Sequence, residues 1–307
     1  MIRDHRMRSL NPYASAILLA LTLSIGMAAR SAPAQEKPTA EKPTPPAVAG
    51  PGPFFAFDNG TGRGSVPLEE QAKLLAELGY AGIGYTGCEQ IPEMLQALDK
   101  YNLRMFSIYV GANVGEQGPS YDPGLPAAIQ ALKGRDTLIW LTVQGQRDDQ
   151  DQQAVKVVQD VADLAQAAGL RVALYPHVGF YVSSTDDALR LVLKADRKNL
   201  GVSFNLCHTL QLGQEARIPE ILQAARPHLF VVSINGAEHE GGWDRLIQTL
   251  DRGAYDNFAL LSLLQKLEYH GPVGLQCYNV PGDIRENLTR SMSAWKQLTD
   301  RLQSPSK

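Results

Sequence analysis

Eight short apolar runs alternate with helix-like segments between Phe54 and Leu302, and this alternation predicts a (β/α)8 TIM barrel. Strands that are separated by helices pair in parallel, and eight such units favour closure of the sheet. The length of this region suits a single barrel domain, which typically needs about 250 residues. An open doubly wound sheet is the main alternative, although no G-x-G-x-x-G motif follows the first apolar run.

Residues 1–34 have the features of a secretory signal peptide. Three arginines precede an apolar run from Ala14 to Ala29, and the sequence A-P-A at residues 32–34 is a small-residue cleavage site. The run is short for a membrane-spanning helix, and no cysteine is present at the cleavage point to carry a lipid. We therefore expect cleavage after Ala34 and an exported protein, periplasmic or extracellular, with no membrane association afterwards.

A linker is predicted between this signal and the barrel. Residues 35–53 are rich in Pro, Lys and Glu and lack large apolar side chains. Such a composition cannot bury a core, so we expect a disordered or extended segment. The predicted organisation is thus a signal peptide at 1–34, a Pro-rich linker at 35–53 and one barrel domain at 54–302.

The charge and cysteine content argue against some classes of function. The chain has 29 Lys and Arg against 32 Asp and Glu, and loss of the signal, with four basic residues and one acidic residue, leaves a net charge of −6. An acidic domain is not typical of a nucleic-acid-binding protein. The three cysteines are far apart and include no C-x-x-C pair, so neither a disulfide framework nor a thiolate zinc site is indicated.

The predicted strands, in chain order, are FFAFD, GIGYT, RMFSIYV, LIWLTVQ, RVALYPH, GVSFNLC, LFVVSIN and VGLQCYN. Between them, segments such as PLEEQAKLLAELG, QAVKVVQDVADLAQAAG and DDALRLVLKA have helical patterns. Ser184 and Asp187 predict a capping box at the start of the third of these helices. Gly79 and Gly169 are placed where helix ends favour a left-handed residue.

Polar side chains occupy the inward positions near the carboxyl ends of the strands. Because side chains alternate along a strand, Val172 and Leu174 should contact the helices, while Ala173 and Tyr175 should point into the barrel. The same sorting of the other strands gives a polar ring of Gln144, Tyr175, His177, Asn205, Asn235, Gln276 and Tyr278. Barrel enzymes place their sites at this end, so we predict that the members of the ring other than His177 bind substrate. The alternative is a hydrogen-bonded polar core without function, although so many buried amides are difficult to satisfy without water or ligand.

Four segments of the barrel domain carry a resemblance to a known family. The segment LIQTLDRGAYDNFALLSLLQKLEYHGPVGLQ, residues 246–276, is similar to a loop, helix and eighth strand of that family. VALYPH, GVSFNLCH and VVSING fall where its fifth, sixth and seventh strands would be. By the order and spacing of these segments, the chain resembles the xylose-isomerase-like TIM barrel superfamily of sugar isomerases and epimerases over roughly the whole barrel domain.

The resemblance implies a divalent metal held by a Glu, an Asp, a His and a Glu on strands five to eight, with the two glutamates moving protons. At the matching positions this chain has Tyr175, Asn205, Ser233 and Gln276, and of the family's D-x-x-H only His208 is kept. Asn and Gln carry no charge, whereas hard divalent ions prefer anionic oxygen. We therefore expect at most a weakly bound divalent metal. Its ligands would be His177, Asn205, His208 and Gln276, to which Asp58 or Glu238 could add.

His177 and His208 are the predicted catalytic residues. They follow neighbouring strands at the predicted mouth of the barrel, and histidine is the usual proton carrier near neutral pH. A single histidine in such a place is more often structural, so the prediction depends on the two being neighbours. The other candidates for proton transfer are Asp58, Glu89, Glu238 and His239. His228 and His270 precede strands seven and eight, at the opposite end.

The predicted ring contains no Lys or Arg, which indicates a neutral ligand rather than a phosphate ester. Arg147 or Arg252 could still reach in from loops. Aromatic side chains that could stack on a sugar, with ordinary packing as an equally good explanation, are Tyr85, Tyr109, Phe180, Tyr181 and Trp243. We therefore predict an exported isomerase- or epimerase-like enzyme that acts on a neutral sugar, keto-sugar or cyclitol by acid–base chemistry, or a lyase on the same fold.

A non-catalytic carbohydrate-binding barrel is the main alternative, because the loss of carboxylates is what such a protein would show. A phosphodiesterase like the endonuclease IV barrels would need a cluster of several zinc ions, and this chain has six histidines, of which one is in the signal. The expected partner is therefore a small carbohydrate and not a nucleic acid, and the sequence is compatible with an oligomer.

Overall fold

The computed structural model describes residues 51–115, 120–145 and 151–304. The predicted signal peptide, and the predicted linker up to residue 50, lie outside the described residues, so both stay predictions. The strands are β1 Phe54–Phe57, β2 Gly82–Thr86, β3 Arg104–Asn113, β4 Leu138–Gln144, β5 Arg171–Leu174, β6 Leu200–Asn205, β7 Leu229–Ile234 and β8 Val273–Leu275. The helices are α1 Leu68–Leu78, α2 Ile91–Lys100, α3 Leu125–Ala131, α4 Asp151–Ala167, α5 Thr185–Ala195, α6 Leu206–Gln211, α7 Ile218–Ala225, α8 Trp243–Leu246, α9 Asn257–Lys266 and α10 Ile284–Gln303.

The eight strands form a closed parallel barrel in chain order. Each strand pairs with the next, and β1 closes the sheet on β8 through the pairs Phe54–Val273 and Phe55–Gly274. All eight predicted strands are present in the predicted order, so the (β/α)8 TIM barrel is confirmed and the open sheet is not. Because the strands are parallel, their carboxyl ends meet at one face of the barrel, where the loops that follow them can build a site.

Two apolar layers stabilise the barrel, one between strands and helices and one inside. Val172 and Leu174 of β5 pack in the outer layer, while Ala173 and Tyr175 pack in the inner layer, as alternation predicts. The inner layer is rich in aromatic rings, and Trp140 lies 4.9 Å from Phe57 and 4.8 Å from Tyr175 between ring centroids. This aromatic floor closes the barrel below its carboxyl-terminal mouth.

The helix ends follow their sequence signals. The Ser184 hydroxyl and the Asp187 carboxylate form the predicted capping box at the start of α5. Gly79 ends α1 in the left-handed conformation with φ 87°, which a glycine adopts without steric cost. Among the described residues, no helix is long and apolar enough to span a membrane.

Candidate active site

A cavity of about 380 Å³ lies at the carboxyl-terminal mouth of the barrel. Its lining includes residues that follow β1, β5 and β8, such as Asp58, His177 and Gln276. Its volume is in the range that accommodates a small organic ligand, roughly 300–1,000 Å³. Much of its wall is aromatic, with Phe57, Tyr109, Trp140, Tyr175, Trp243 and Tyr278.

The structure divides the predicted site residues into two groups. Tyr175, His177, His208, Gln276 and Tyr278 line this cavity. The other three, Gln144, Asn205 and Asn235, do not. Their roles in substrate binding, like those of the first group, stay predictions.

The Asn205 side chain is fully engaged in holding the loops, whereas Asn235 holds them through Nδ2 alone and its Oδ1 has no partner among the described residues. The Asn205 amide donates to the Pro176 carbonyl at 2.9 Å, and its oxygen accepts from the Ser233 hydroxyl at 3.0 Å. Asn235 donates to the carbonyls of Gly236 and Leu246 at 2.8 and 2.6 Å. These amides donate hydrogen bonds to buried backbone carbonyls that are not paired within the sheet, which is a structural role.

The tautomers of His177 and His208 are set by one residue between them, Val178. The Val178 carbonyl lies 2.9 Å from His177 Nδ1, and because a carbonyl can only accept, this nitrogen carries the proton. The Val178 amide donates to His208 Nδ1 at 3.3 Å, so in the neutral ring the proton of His208 is on Nε2. The two rings are 4.3 Å apart between centroids. One backbone unit thus leaves Nε2 of His177 as an acceptor and Nε2 of His208 as a donor.

Burial keeps both histidines neutral. It lowers the pKa of His177 below its ordinary value of 6.5, and it lowers the pKa of His208 to about 3, with the nearby His177 contributing to the second shift. Phe180 stacks on the His177 ring, and the edges of Trp243 and Tyr175 meet the His208 ring, which fixes both orientations. In the part of the chain that the structure describes, neither Nε2 has a hydrogen-bond partner, so both are available to a ligand.

Gln276 connects three other groups of the cavity. Its Oε1 accepts from the Tyr278 amide at 2.9 Å and from Asn59 Nδ2 at 2.8 Å, and its Nε2 donates to the Tyr175 hydroxyl at 3.3 Å. These contacts fix the flip of both amides, because each donor faces an acceptor. Gln276 therefore acts first as a support for Asn59 and Tyr175.

Asp58 is the buried acid of the cavity. Its carboxylate accepts from the Thr86 amide at 2.7 Å and the Thr86 hydroxyl at 2.8 Å, and Arg63 lies 3.3 Å away. Burial raises the pKa of Asp58 despite these contacts. Of the other predicted proton carriers, Glu89, Glu238 and His239 do not line the cavity.

Some residues of the lining, Arg63 among them, were not predicted from the sequence. Arg63 is the guanidinium that lines this cavity, whereas Arg252 does not and Arg147 lies outside the described residues. Arg63 follows an irregular segment without periodicity, so no sequence signal placed it. Of the predicted aromatic residues, Tyr109 and Trp243 line the cavity, and the others, Tyr85, Phe180 and Tyr181, do not.

The residues at the family's metal positions do not fit a divalent cation. Both ends of the Asn205 amide have protein partners, and Gln276 Oε1 already accepts two hydrogen bonds. His208 presents a protonated Nε2 rather than a lone pair. Among the described residues, no group of three or more His, Cys, Asp or Glu side chains could hold a metal ion. The chemistry of the cavity is therefore derived from its own side chains.

Comparisons with known proteins identify the family of the fold. The model of the family described as xylose isomerase-like TIM barrel matches residues 72–298. A D-allulose 3-epimerase from Methylomonas sp. in complex with D-allulose superposes with a TM-score of 0.65 at 17% identity, covering 82% of this chain and 98% of that one. A 3-keto-D-glucoside 4-epimerase from E. coli gives 0.62 at 18% identity, covering 80% and 99%. A protein termed IOLI with a bound zinc atom gives 0.65 at 16% identity, covering 81% and 98%. A search of curated proteins finds no match.

Proposed function

The chain belongs to the xylose isomerase-like TIM barrel family. We propose that it is an enzyme that removes a proton from the carbon atom next to the carbonyl group of a sugar. The substrate is a neutral sugar or keto-sugar, or a cyclitol that carries a keto group, and the reaction is an isomerisation or epimerisation, or an elimination from the same intermediate. The observation that supports this proposal is the pair of neutral histidines whose tautomers are fixed by Val178.

The pair supplies the two functions that the first step, removal of the proton to form an enolate, needs. His177 Nε2 has a free lone pair and removes the proton from carbon, and it is in its basic form at neutral pH because burial lowers its pKa. His208 Nε2–H donates a hydrogen bond to the carbonyl oxygen, on which negative charge develops. A neutral imidazole is a suitable donor for this purpose because it stays neutral throughout.

The remaining lining supports a neutral substrate. Arg63 lies beside the buried Asp58, so its charge is compensated and the cavity offers little to a phosphate. The aromatic walls suit the apolar faces of a sugar ring. Two neighbours in fold are named as sugar epimerases, and one of them holds D-allulose.

Deuterium exchange tests the proposal directly. D-allulose and D-tagatose, together with keto-derivatives of common hexoses and of inositol, are incubated with the protein in D2O and followed by proton NMR. At least one compound should lose a carbon-bound proton signal at a rate that depends on protein concentration. The variant His177→Gln should abolish the exchange, whereas the control His228→Gln, at the opposite end of the barrel, should retain it. Exchange that persists in His177→Gln, or that occurs with no compound, would contradict the proposal.

A non-catalytic carbohydrate-binding barrel is the second candidate. The observation in its favour is that none of Tyr175, Asn205, Ser233 and Gln276, which occupy the family's metal positions, carries a charge. The same experiment separates the two candidates, because this one requires saturable sugar binding without any exchange.

We also propose export, on the basis of residues 1–34 alone. N-terminal sequencing of the protein from the periplasm or culture medium should start near Gln35. A soluble cytoplasmic protein that retains Met1 would contradict this.

A further inference from the structure

We propose that Asn59, Ser107 and Trp140 form a subsite that binds the hydroxyl groups of a neutral sugar on the β1–β4 side of the cavity. The inference rests on the proposed function for the class of ligand, but not for the reaction. All three residues line the cavity, and each has a buried polar atom without a protein partner.

The unpartnered atoms are Asn59 Oδ1, Ser107 Oγ and Trp140 Nε1. Ser107 and Trp140 are 0% and 1% exposed, so bulk water does not replace the missing partners. A buried polar atom without a partner costs folding free energy, and folded proteins tolerate few such atoms. Among the described residues six side-chain atoms are in this state, and three of them belong to residues that line this one cavity. That concentration indicates a place prepared for the oxygen atoms of a ligand.

A β-bulge brings Ser107 to this place. Ile83 of β2 pairs with Met105, but Gly84 pairs with Ser107, so Phe106 is an extra residue in β3. The bulge resets the alternation, and both Phe106 and Ser107 face the interior. Gly84 keeps the space beside the hydroxyl open, because a Cβ at this position would lie 3.1 Å from Ser107 Oγ. Without the bulge and the glycine, the hydroxyl would not line the cavity.

The three atoms together select a group that both donates and accepts. Trp140 Nε1 can only donate, so it needs an oxygen lone pair. Asn59 Oδ1 can only accept, and the bond from Asn59 Nδ2 to Gln276 prevents the amide from flipping. The Ser107 hydroxyl can do either. Sugar hydroxyls satisfy all three atoms, whereas a carboxylate or phosphate oxygen without a proton would be repelled by Asn59 Oδ1. The subsite therefore favours a neutral polyol over a sugar acid or sugar phosphate.

The three tryptophans of the chain provide an internal test. Trp140 is in the proposed subsite, Trp243 is at the cavity rim and 37% exposed, and Trp295 packs on Phe54 in the outer layer. In protein labelled with ¹⁵N-tryptophan, the three indole N–H signals are assigned by Trp→Phe variants. D-allulose, D-tagatose and myo-inositol are then titrated, with D-allulose 6-phosphate as the charged comparison.

At least one neutral compound should shift the Trp140 signal saturably, while Trp295 stays unchanged. D-allulose 6-phosphate should bind at least tenfold more weakly than D-allulose. Trp140→Phe and Ser107→Ala should each weaken binding of the active compound roughly three- to tenfold, the range for one lost hydrogen bond. The matched control is Ser203→Ala, because the Ser203 hydroxyl is buried but donates to the Leu174 carbonyl and does not line the cavity. This control should leave binding unchanged.

Three outcomes would overturn the subsite. The first is that no neutral compound shifts Trp140. The second is a shift of Trp243 alone with unaltered affinity in Trp140→Phe and Ser107→Ala, which would mean that the three atoms bind only ordered water. The third is that the phosphate ester binds as well as the neutral sugar. Failure of the proposed reaction is separate, because it would show as Trp140 shifts without any deuterium exchange.

Discussion

The two halves of the barrel mouth differ in how far the protein satisfies the polar side chains that line the cavity. Within and after β5 to β8, Asn205 is bonded to Ser233 and to the Pro176 carbonyl, and Gln276 is bonded to Tyr175, although Asn235 Oδ1 has no partner among the described residues. After and within β1 to β4, Ser107 and Trp140 keep polar atoms without any protein partner. The difference shows that a polar residue at a strand end does not by itself contact a ligand. What matters is whether the protein has already satisfied its hydrogen-bonding groups.

His177 and His208 combine both behaviours. In each ring Nδ1 is hydrogen-bonded to the backbone of Val178, as the side chain of Asn205 is bonded to a loop carbonyl. In each ring Nε2 has no partner among the described residues, as is also true of the polar atoms of Ser107 and Trp140. The predictions below test this division, from the largest expected effect to the smallest.

Loss of either histidine should have the largest effect. His177→Ala and His208→Ala should each reduce turnover of a confirmed substrate by roughly 10²-fold or more, because a general acid–base group contributes about that much. The proteins should stay folded by circular dichroism, since both residues are at the mouth rather than in the packed layers. Steady-state kinetics check this, and full turnover in both variants would remove them from the mechanism.

Substitution of a polar residue that already has protein partners, such as Asn205, should mainly change the free energy of unfolding. Asn205→Asp places a carboxylate oxygen against the Pro176 carbonyl, which now accepts from the amide at 2.9 Å. We expect a loss of about 2–3 kcal/mol in the free energy of unfolding, since a buried hydrogen bond is replaced by repulsion.

Gln276→Glu is the matched comparison for this loss. Both partners of Gln276 Oε1 are donors, and the Tyr175 hydroxyl can turn to donate to the second oxygen. Its loss in urea denaturation should be clearly smaller than that of Asn205→Asp. Equal losses in the free energy of unfolding would show that the hydrogen bond from Asn205 to the Pro176 carbonyl is not specifically stabilising.

Acid should destabilise the protein through His208. Its pKa is about 3 in the folded state and near 6.5 when unfolded, so between these values only the unfolded chain takes up the proton. The free energy of unfolding therefore falls as the pH falls through this window, by up to about 1.4 kcal/mol per pH unit from this group. His208→Gln should remove that part of the slope. An unchanged slope between pH 6 and pH 4 would mean that His208 is not buried in its neutral form.

The smallest effect on the free energy of unfolding is expected from substitution of two buried serines, Ser203 and Ser107. The Ser203 hydroxyl has a hydrogen-bond partner and the Ser107 hydroxyl has none among the described residues. Ser203→Ala removes a hydroxyl bonded to the Leu174 carbonyl and should lower the free energy of unfolding by about 1 kcal/mol. Ser107→Ala removes an unpartnered hydroxyl and should leave stability unchanged or slightly raised. Thermal denaturation without ligand measures both. If Ser107→Ala lowered the free energy of unfolding more than Ser203→Ala does, the Ser107 hydroxyl would not be the unpartnered one of the two.

The sequence predicted much of the fold because its signals are local. Strand alternation placed Val172 outside and Tyr175 inside, and Ser184 marked the start of α5, since both depend on neighbouring residues. The site was predicted only in part, because which polar groups pair with one another depends on contacts across the barrel. Asn205 faces Ser233 rather than the cavity, and Arg63 reaches the cavity from an irregular segment. Neither contact can be predicted from the periodicity of the sequence.

The fixed and opposite tautomers of His177 and His208 are the central claim of this account, and ¹⁵N NMR of histidine-labelled protein at neutral pH tests them most directly. The chemical shifts and couplings of the ring nitrogens show which of them carries the proton, and His→Gln variants assign the signals. We expect two neutral rings, with the proton on Nδ1 in His177 and on Nε2 in His208. The same tautomer in both rings, or a charged ring in either, would contradict it.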